Sequence, residues 1–158
     1  MQILVDADSC PKLARDMLLR FSARLDIPIV FAANRPIPDI KNAKTASSNI
    51  HMEICSSEEG AADRRIIELA ENGDLVVTRD LPLAEILVEK NIRVIDDRGR
   101  VFTRENIREL RSIRDFTVDL AESGLGMERI AAYGKKELNK LANSLDRELT
   151  LLRQTISG

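Results

Sequence analysis

The feature that most constrains the fold is an alternation of short apolar runs with segments of helical periodicity over the first two thirds of the chain. Five of these runs are predicted to be strands: QILVD (2–6), PIVFAA (28–33), IHMEIC (50–55), DLVVT (74–78) and IRVID (92–96). Strands that alternate with helices are typical of a parallel sheet covered by helices. The sequence therefore predicts an α/β fold with a mostly parallel five-stranded sheet.

Helices are predicted between the strands. The first begins at Pro11, with Ser9 or Cys10 as its cap, and has apolar residues on one face. The second covers about 60–72 and the third about 81–90. The segment NRPIPDIKNAKTASSN (34–49) has no clear periodicity, which predicts a surface loop or a poorly formed helix.

Beyond the fifth strand, DDRGRVFT (96–103) predicts a tight turn around Gly99, with a small hairpin as one alternative. Two C-terminal helices follow, one from Thr103 to about Ser123 that SGLG (123–126) ends, and an amphipathic one over about 135–153. The last helix is expected to pack on the domain or on a second subunit, so a homo-oligomer is one expectation. We predict one domain over 1–158, with a core of about 1–123.

Composition and charge exclude several classes of protein. A net charge of -2 gives no global attraction to nucleic acid or anionic lipid, so such a partner needs a local patch. Two distant cysteines, Cys10 and Cys55, and one histidine, His51, match neither a disulfide framework nor a zinc site. Neither a signal peptide nor an apolar stretch long enough to span a bilayer is present. We expect a reduced, cytoplasmic setting and no membrane partner.

Acidic residues follow the strands at the edge where open α/β sheets bind ligands. Asp6 and Asp8 follow the first strand, Asp80 follows the fourth, and Asp63 lies in the first turn of the helix between the third and fourth. If the first and fourth strands are neighbours, which this crossover allows, the four acids gather at one edge. Clustered carboxylates repel one another unless a divalent cation neutralises them, and oxygen ligands favour Mg²⁺ or Mn²⁺. Two such ions can hydrolyse a phosphodiester.

Each acid also has a simpler interpretation. Asp80 and Asp8 could cap the helices that follow them, and Asp63 is favourably placed at a helix N-terminus. Asp6 instead ends a buried strand, where a carboxylate is costly unless donors or cations compensate it. The metal hypothesis therefore depends on the coincidence of all four at one sheet edge.

Several stretches together resemble the YaiI/YqxD family of bacterial proteins: VDADSCP, AAD with GDLVVTRDLPLA close behind, DDRGRVFTRENI and RDF. The resemblance covers about residues 1–146, and that family is similar to the wider class of PIN-like nucleases. It implies a three-layer fold, with helices on both faces of the sheet, and an acidic metal site for cutting RNA. The expected activity is thus a metal-dependent endoribonuclease, with RNA favoured over DNA as the partner.

The resemblance also implies roles for individual acids. Asp6 would be the strand-one acid, Asp63 the acid of the helix before the fourth strand, and Asp80 the acid of the TxD turn, while Asp8 belongs to the family's own DAD element. These four are the predicted catalytic residues and ligands of Mg²⁺ or Mn²⁺. PIN-like nucleases usually carry a further acid, for which Glu58 and Glu59 are the candidates because they precede the same helix.

Arginines near this edge are candidates for substrate binding. Arg98 and Arg100 lie in the turn after the fifth strand, where they could orient a phosphodiester, and Arg79 lies beside Asp80. A helical stripe could also contact phosphates, although Glu105 and Glu109 are close enough to pair with it. The stripe consists of Arg104, Arg108 and Arg111.

Three alternatives to a nuclease follow from the same residues. In a haloacid-dehalogenase-like phosphatase Asp6 would be phosphorylated and Asp8 would be the acid/base, but Lys90 is poorly placed to contact the phosphate. A thiolate at Cys10 beside Arg15 would lack the spacing and the glycine of a phosphotyrosine-phosphatase loop, so packing is the expected role of Cys10. The third alternative is a PIN-like module that holds RNA or a protein without cutting.

Overall fold

The computed structural model describes residues 1–44, 47–122 and 132–157, with the side chains of residues 41, 44 and 115–122 outside that description. The strands are β1 (Ile3–Asp6), β2 (Ile29–Ala33), β3 (Ile50–Ile54), β4 (Leu75–Val77), β5 (Arg93–Ile95) and β6 (Val101–Phe102). The helices are α1 (Lys12–Leu25), α2 (Pro38–Lys44), α3 (Ala61–Leu69), α4 (Leu81–Glu89), α5 (Arg104–Glu122) and α6 (Lys135–Ser157). A short 3-10 turn, Ala7–Ser9, connects β1 with α1.

The strands form one sheet in the order β3-β2-β1-β4-β5-β6. The five predicted strands are all parallel, and β1 pairs directly with β4, as the crossover hypothesis requires. A sixth strand, β6, runs antiparallel to β5, so DDRGRVFT forms the hairpin alternative. The predicted sheet has five strands and leaves out β6, because two residues are too few to show alternation.

Different helices cover the two faces of the sheet. Because successive strand residues point to opposite faces, Ile3 and Val5 belong to the apolar core beneath α1 and α6, whereas Leu4 belongs to the core beneath α3 and α4. Ile40 of α2 extends the first core and Ile107 of α5 extends the second. The predicted three-layer α/β arrangement is therefore confirmed.

The C-terminal helix packs on the chain's own sheet. Four leucines on one face of α6 are buried in the same core as α1: Leu141, Leu145, Leu149 and Leu152. The buried carboxylate of Glu148 pairs with Arg93 of β5, which ties α6 to the sheet. The last helix is expected from the sequence to pack either on the domain or on a second subunit, and in the structure it packs on the domain. Association of two chains stays a prediction.

Some local predictions need correction. Neither Ser9 nor Cys10 caps α1, since Pro11 occupies the N-cap position and no side chain bonds there. The helix alternative holds for part of segment 34–49, where buried Ile40 anchors α2. The predicted break at SGLG lies outside the described residues. In the described part of the chain, no helix has the length and apolar character needed to cross a membrane.

Candidate functional site

The four acids lie near the switch point of the sheet. From β1 the chain builds outward to β3, and α3 then returns it to β4 on the opposite side of β1. The connections leaving β1 and β4 therefore diverge, and they open a crevice at the carboxyl ends of these two strands. Asp6 is the last residue of β1, and Asp80 ends the turn that follows β4. Asp63 lies in the first turn of α3. Burial raises its pKa, and it is close enough to Asp80 and Asp6 for their charges to raise it further.

Asp6 is held in place by two hydroxyl groups. The residue is only 7% exposed. Its Oδ2 accepts hydrogen bonds from Thr78 Oγ1 at 2.9 Å and from Ser9 Oγ at 3.2 Å. Burial raises the pKa of Asp6, the two hydroxyl donors oppose that rise, and the charges of Asp80 and Asp8 add to it. The donors therefore fix the orientation of the carboxyl group but only partly compensate its loss of hydration.

Asp63 and Asp80 form a close pair of carboxyl groups. Asp80 caps α4, with its Oδ1 accepting a hydrogen bond from Leu83 N at 3.0 Å, so its predicted capping role is confirmed. Burial raises the pKa of Asp63 to about 6, and the charges of Asp80 and Asp6 and a carboxyl–carboxyl hydrogen bond to Asp80 act in the same direction. Asp63 therefore holds its proton well above the pH at which an isolated aspartate loses it.

Asp8 and the two candidate glutamates have other surroundings. Asp8 is exposed, and its Oδ2 accepts a hydrogen bond from Asn34 N at 2.8 Å, beyond the end of β2. Glu58 is exposed and pairs with Arg64 at 3.3 Å, and Glu59 is exposed as well. Asp8 therefore lies at the same edge as Asp6 and influences its pKa, but it fastens a loop instead of capping α1.

The ligand atoms at this site are of the kind that binds a hard cation, but too few of the described side chains come together to surround one. Carboxylate and hydroxyl oxygens are the ligand types that Mg²⁺ and Mn²⁺ prefer. Across the described residues, however, no group of three or more His, Cys, Asp and Glu side chains is arranged so that it could hold a metal ion. Mg²⁺ commonly takes only one or two protein carboxylates, so Asp63 and Asp80 are the candidates to hold such an ion.

The three candidate arginines are divided between two places. Arg79 pairs with the buried Asp97, and both line a small cavity that also includes Asp6. Arg98 and Arg100 instead line a separate cleft against α6, whose lining contains none of the four predicted acids. Asp97 is a neighbour of the site that is not among the predicted site residues, although the VIDD stretch (94–97) places it at the end of β5.

The alternative chemistries find little support in the geometry. Burial is the main cause that raises the pKa of Cys10 to about 12, so its sulfur stays a neutral thiol packed in the core. Lys90 is the C-cap of α4, at the opposite end from Asp80, which places it roughly 15 Å away along the helix. In the arginine stripe, Arg111 pairs with Glu85 and Arg104 donates a hydrogen bond to Asn91.

A family model described as "Uncharacterized BCR, YaiI/YqxD family" matches residues 4–151. The chain belongs to the YaiI/YqxD family. It is 45% identical over 146 residues to a UPF0178 protein of Treponema denticola, covering 92% of this chain and 90% of that one. A UPF0178 protein of Myxococcus xanthus is 41% identical over 155 residues, with 98% of each chain covered. No solved structure matches this family member significantly.

The raised pKa of Asp63 predicts that this residue destabilises the fold near neutral pH. Because the folded state holds the proton more tightly than the unfolded chain, stability falls as the pH rises from about 4 to about 6 and stays lower above that. We expect Asp63→Asn to raise the melting temperature at about pH 7.5 and to have no effect at about pH 4. Thermal melts followed by circular dichroism, with the exposed Asp146→Asn as control, check this expectation. A gain that is the same at both pH values would contradict it.

Proposed function

We propose that this YaiI/YqxD family member is a metal-dependent PIN-like phosphodiesterase of the cytoplasm that hydrolyses RNA in preference to DNA. The observation that carries the proposal is the close pair of Asp63 and Asp80 beside buried Asp6, in the crevice between β1 and β4. An ionised Asp63 that destabilises the fold is better explained by a ligand that relieves the destabilisation than by packing. The preference for RNA rests on the resemblance to PIN-like nucleases.

Asp63 and Asp80 would hold Mg²⁺ or Mn²⁺, with the charges of Asp6 and Asp8 adding to the attraction for a cation. When bound, the ion would supply an activated water and charge stabilisation for the leaving oxygen. Thr78 and Ser9 keep the Asp6 carboxyl group in one orientation by donating hydrogen bonds to it.

The cation and the proton on Asp63 compete for the same carboxyl group. With the pKa of Asp63 at about 6, roughly half of the molecules carry this proton at that pH, and cation binding releases it. Activity should therefore rise with pH as Asp63 ionises. Arg79, whose charge is paired with Asp97, lies beside the site and is the nearest candidate to contact a substrate phosphate.

Calorimetric titration with Mn²⁺ tests the cation site directly. At about pH 6, in two buffers of different ionisation enthalpy, we expect wild type to bind Mn²⁺ and to release about half a proton. Asp63→Asn and Asp80→Asn should bind Mn²⁺ at least about tenfold more weakly, and Asp63→Asn should release no proton. Asp146→Asn, which removes an exposed acid on α6, is the control. Equal affinity in all four proteins would dispose of the metal proposal.

A second candidate function is a PIN-like module that binds RNA or a protein without cutting. It is favoured by the lack, among the described residues, of a group of three side chains arranged for a metal. Labelled RNA incubated with Mg²⁺ or Mn²⁺ discriminates between the two functions. Shortened RNA supports the nuclease, and full-length RNA retained on a filter supports the module. Hydrolysis of small phosphate monoesters would instead favour the phosphatase alternative.

A further inference from the structure

A cleft of about 720 Å³ lies between the turn that follows β5 and the helix α6. We call it the basic cleft because its lining contains the following five basic residues: Arg98, Arg100, Lys136, Lys140 and Arg147. The acids in the same lining are Asp96 and Glu137. In a chain with a net charge of -2, this excess of cations around one opening creates a local region of positive potential.

Both acids of the basic cleft are used by the backbone around them. Asp96 Oδ1 accepts hydrogen bonds from Arg98 N at 2.9 Å and Arg100 N at 2.8 Å, which closes the turn after β5. Glu137 Oε2 accepts a hydrogen bond from Gly134 N at 2.9 Å, at the start of α6, while its Oε1 lies 3.9 Å from Arg98. The two carboxylates thus serve to shape the walls of the cleft.

Three of the cations are not neutralised in this way. Within residues 1–44, 47–122 and 132–157, no ion pair includes Arg100, Lys136 or Lys140. All three are exposed, and Lys136 and Lys140 are four positions apart on α6, so they lie on one face of the helix. The cleft therefore presents several positive groups to a ligand without first having to break ion pairs.

The walls of the basic cleft are fixed before any ligand arrives. Ser144 of α6 donates a hydrogen bond to the carbonyl oxygen of Gly99 in the turn. Below this contact, Glu148 of α6 pairs with Arg93 of β5. A ligand that binds between the turn and the helix consequently does not have to order either wall, which lowers the entropic cost of binding.

The crevice at the carboxyl ends of β1 and β4, which contains Asp63 and Asp80, is called the acidic crevice. The basic cleft is connected to it through the turn after β5. Asp96 lines the cleft, and its neighbour Asp97 pairs with Arg79, which directly precedes Asp80. We infer that the basic cleft binds the sugar-phosphate backbone of single-stranded RNA, on the side of the crevice that faces α6. This inference rests on the proposed function for the identity of the nucleic acid.

The lining of the cleft favours phosphates over bases. It contains no aromatic side chain on which a base could stack, and Tyr133 is outside it, with its ring centre 6.0 Å from the Arg98 guanidinium. Contacts from Lys and Arg to phosphate oxygens carry no sequence information. Binding in this cleft should therefore be independent of RNA sequence and strongly weakened by salt.

Fluorescence anisotropy with a labelled, mixed-sequence RNA of about 20 nucleotides tests the inference, in EDTA so that binding is measured without cleavage. We expect Lys136→Glu/Lys140→Glu to weaken binding at least about tenfold at 50 mM salt and to lower the slope of log affinity against log salt by about 1.4. Residue 136 is in the first turn of α6, where Glu is favourable, and residue 140 is exposed, so the variant should remain folded, which circular dichroism verifies.

Arg20→Glu/Arg114→Glu is the matched control, since it makes the same change in net charge at exposed positions outside the cleft. A change of less than about twofold in this control supports the cleft, whereas an equal loss in both variants means a global charge effect and overturns the inference. Tripolyphosphate that displaces the RNA at an equal concentration of phosphate groups would also overturn it, in favour of a small phosphate ligand.

RNA binding in the basic cleft and Mn²⁺ binding at Asp63 and Asp80 can be lost separately. Lys136→Glu/Lys140→Glu should still bind Mn²⁺ as wild type does, because the lining of the cleft that contains both lysines includes neither Asp63 nor Asp80. Loss of RNA binding with intact Mn²⁺ binding supports the basic cleft. Unchanged RNA binding in this variant removes the cleft from the mechanism and leaves the acidic site as proposed.

Discussion

Replacing Asp80 by Asn is expected to reduce Mn²⁺-dependent RNA cleavage by at least about 100-fold while leaving the melting temperature within about 2 °C of wild type. Asn is as good an N-cap as Asp, so the hydrogen bond from Leu83 N to the residue-80 side chain can be kept. The substitution removes the negative charge of Asp80, which together with that of Asp63 would hold the cation. The loss should therefore appear in the cleavage rate and in the Mn²⁺ affinity, and only weakly in stability.

Cleavage assays on labelled RNA, with Mn²⁺ varied and EDTA as a blank, measure this effect. Asp146→Asn, which changes the charge by the same amount at an exposed position of α6 paired with Arg24, should cleave as wild type does. If wild type and Asp80→Asn cleave equally fast, the acidic crevice does not carry the activity. Cleavage that persists in EDTA would likewise argue against a metal-dependent reaction.

The sequence was sufficient to predict the sheet that places the ends of β1 and β4 side by side. Asp6 could be placed because it ends a continuous apolar run, and Asp80 because it follows another such run and occupies the capping position of the next helix. The crossover through α3 then leaves few topologies for a parallel sheet, and pairing of β1 with β4 is the one found. These features depend on local patterns and on chain connectivity, which are both readable from one sequence.

The partners of these acids were beyond sequence reasoning. The bond between Thr78 and Asp6 joins residues 72 positions apart, and it depends on the register of β1 against β4. The direction of the turn that carries Arg98 and Arg100 is set by where α6 packs, since Ser144 holds the carbonyl group of Gly99. Neither contact has a periodic or compositional signal, because each depends on how distant elements are placed.

Gly99→Ala is expected to be the most destabilising single change in the turn, lowering the melting temperature by about 10 °C. Gly99 has φ +83°, a backbone conformation that costs a residue with a side chain about 1–2 kcal/mol. A Cβ at this position would also meet the Lys140 carbonyl group, with its carbon at 2.7 Å, and Ser144 Oγ at 2.8 Å. Because the first of these contacts is with helix backbone, relief requires α6 to move away from the turn, at a further cost of about 1–3 kcal/mol.

Gly60→Ala separates the two causes, because Gly60 has nearly the same φ of +79° but a Cβ there would only approach the flexible Arg64 side chain at 3.4 Å. We expect this control to lower the melting temperature by about 4 °C, the part that belongs to backbone conformation alone. Thermal melts of both variants give the difference, which measures how tightly α6 is pressed against the turn. Equal melting temperatures in the two variants would mean that α6 yields freely, and the walls of the basic cleft would then not be rigid.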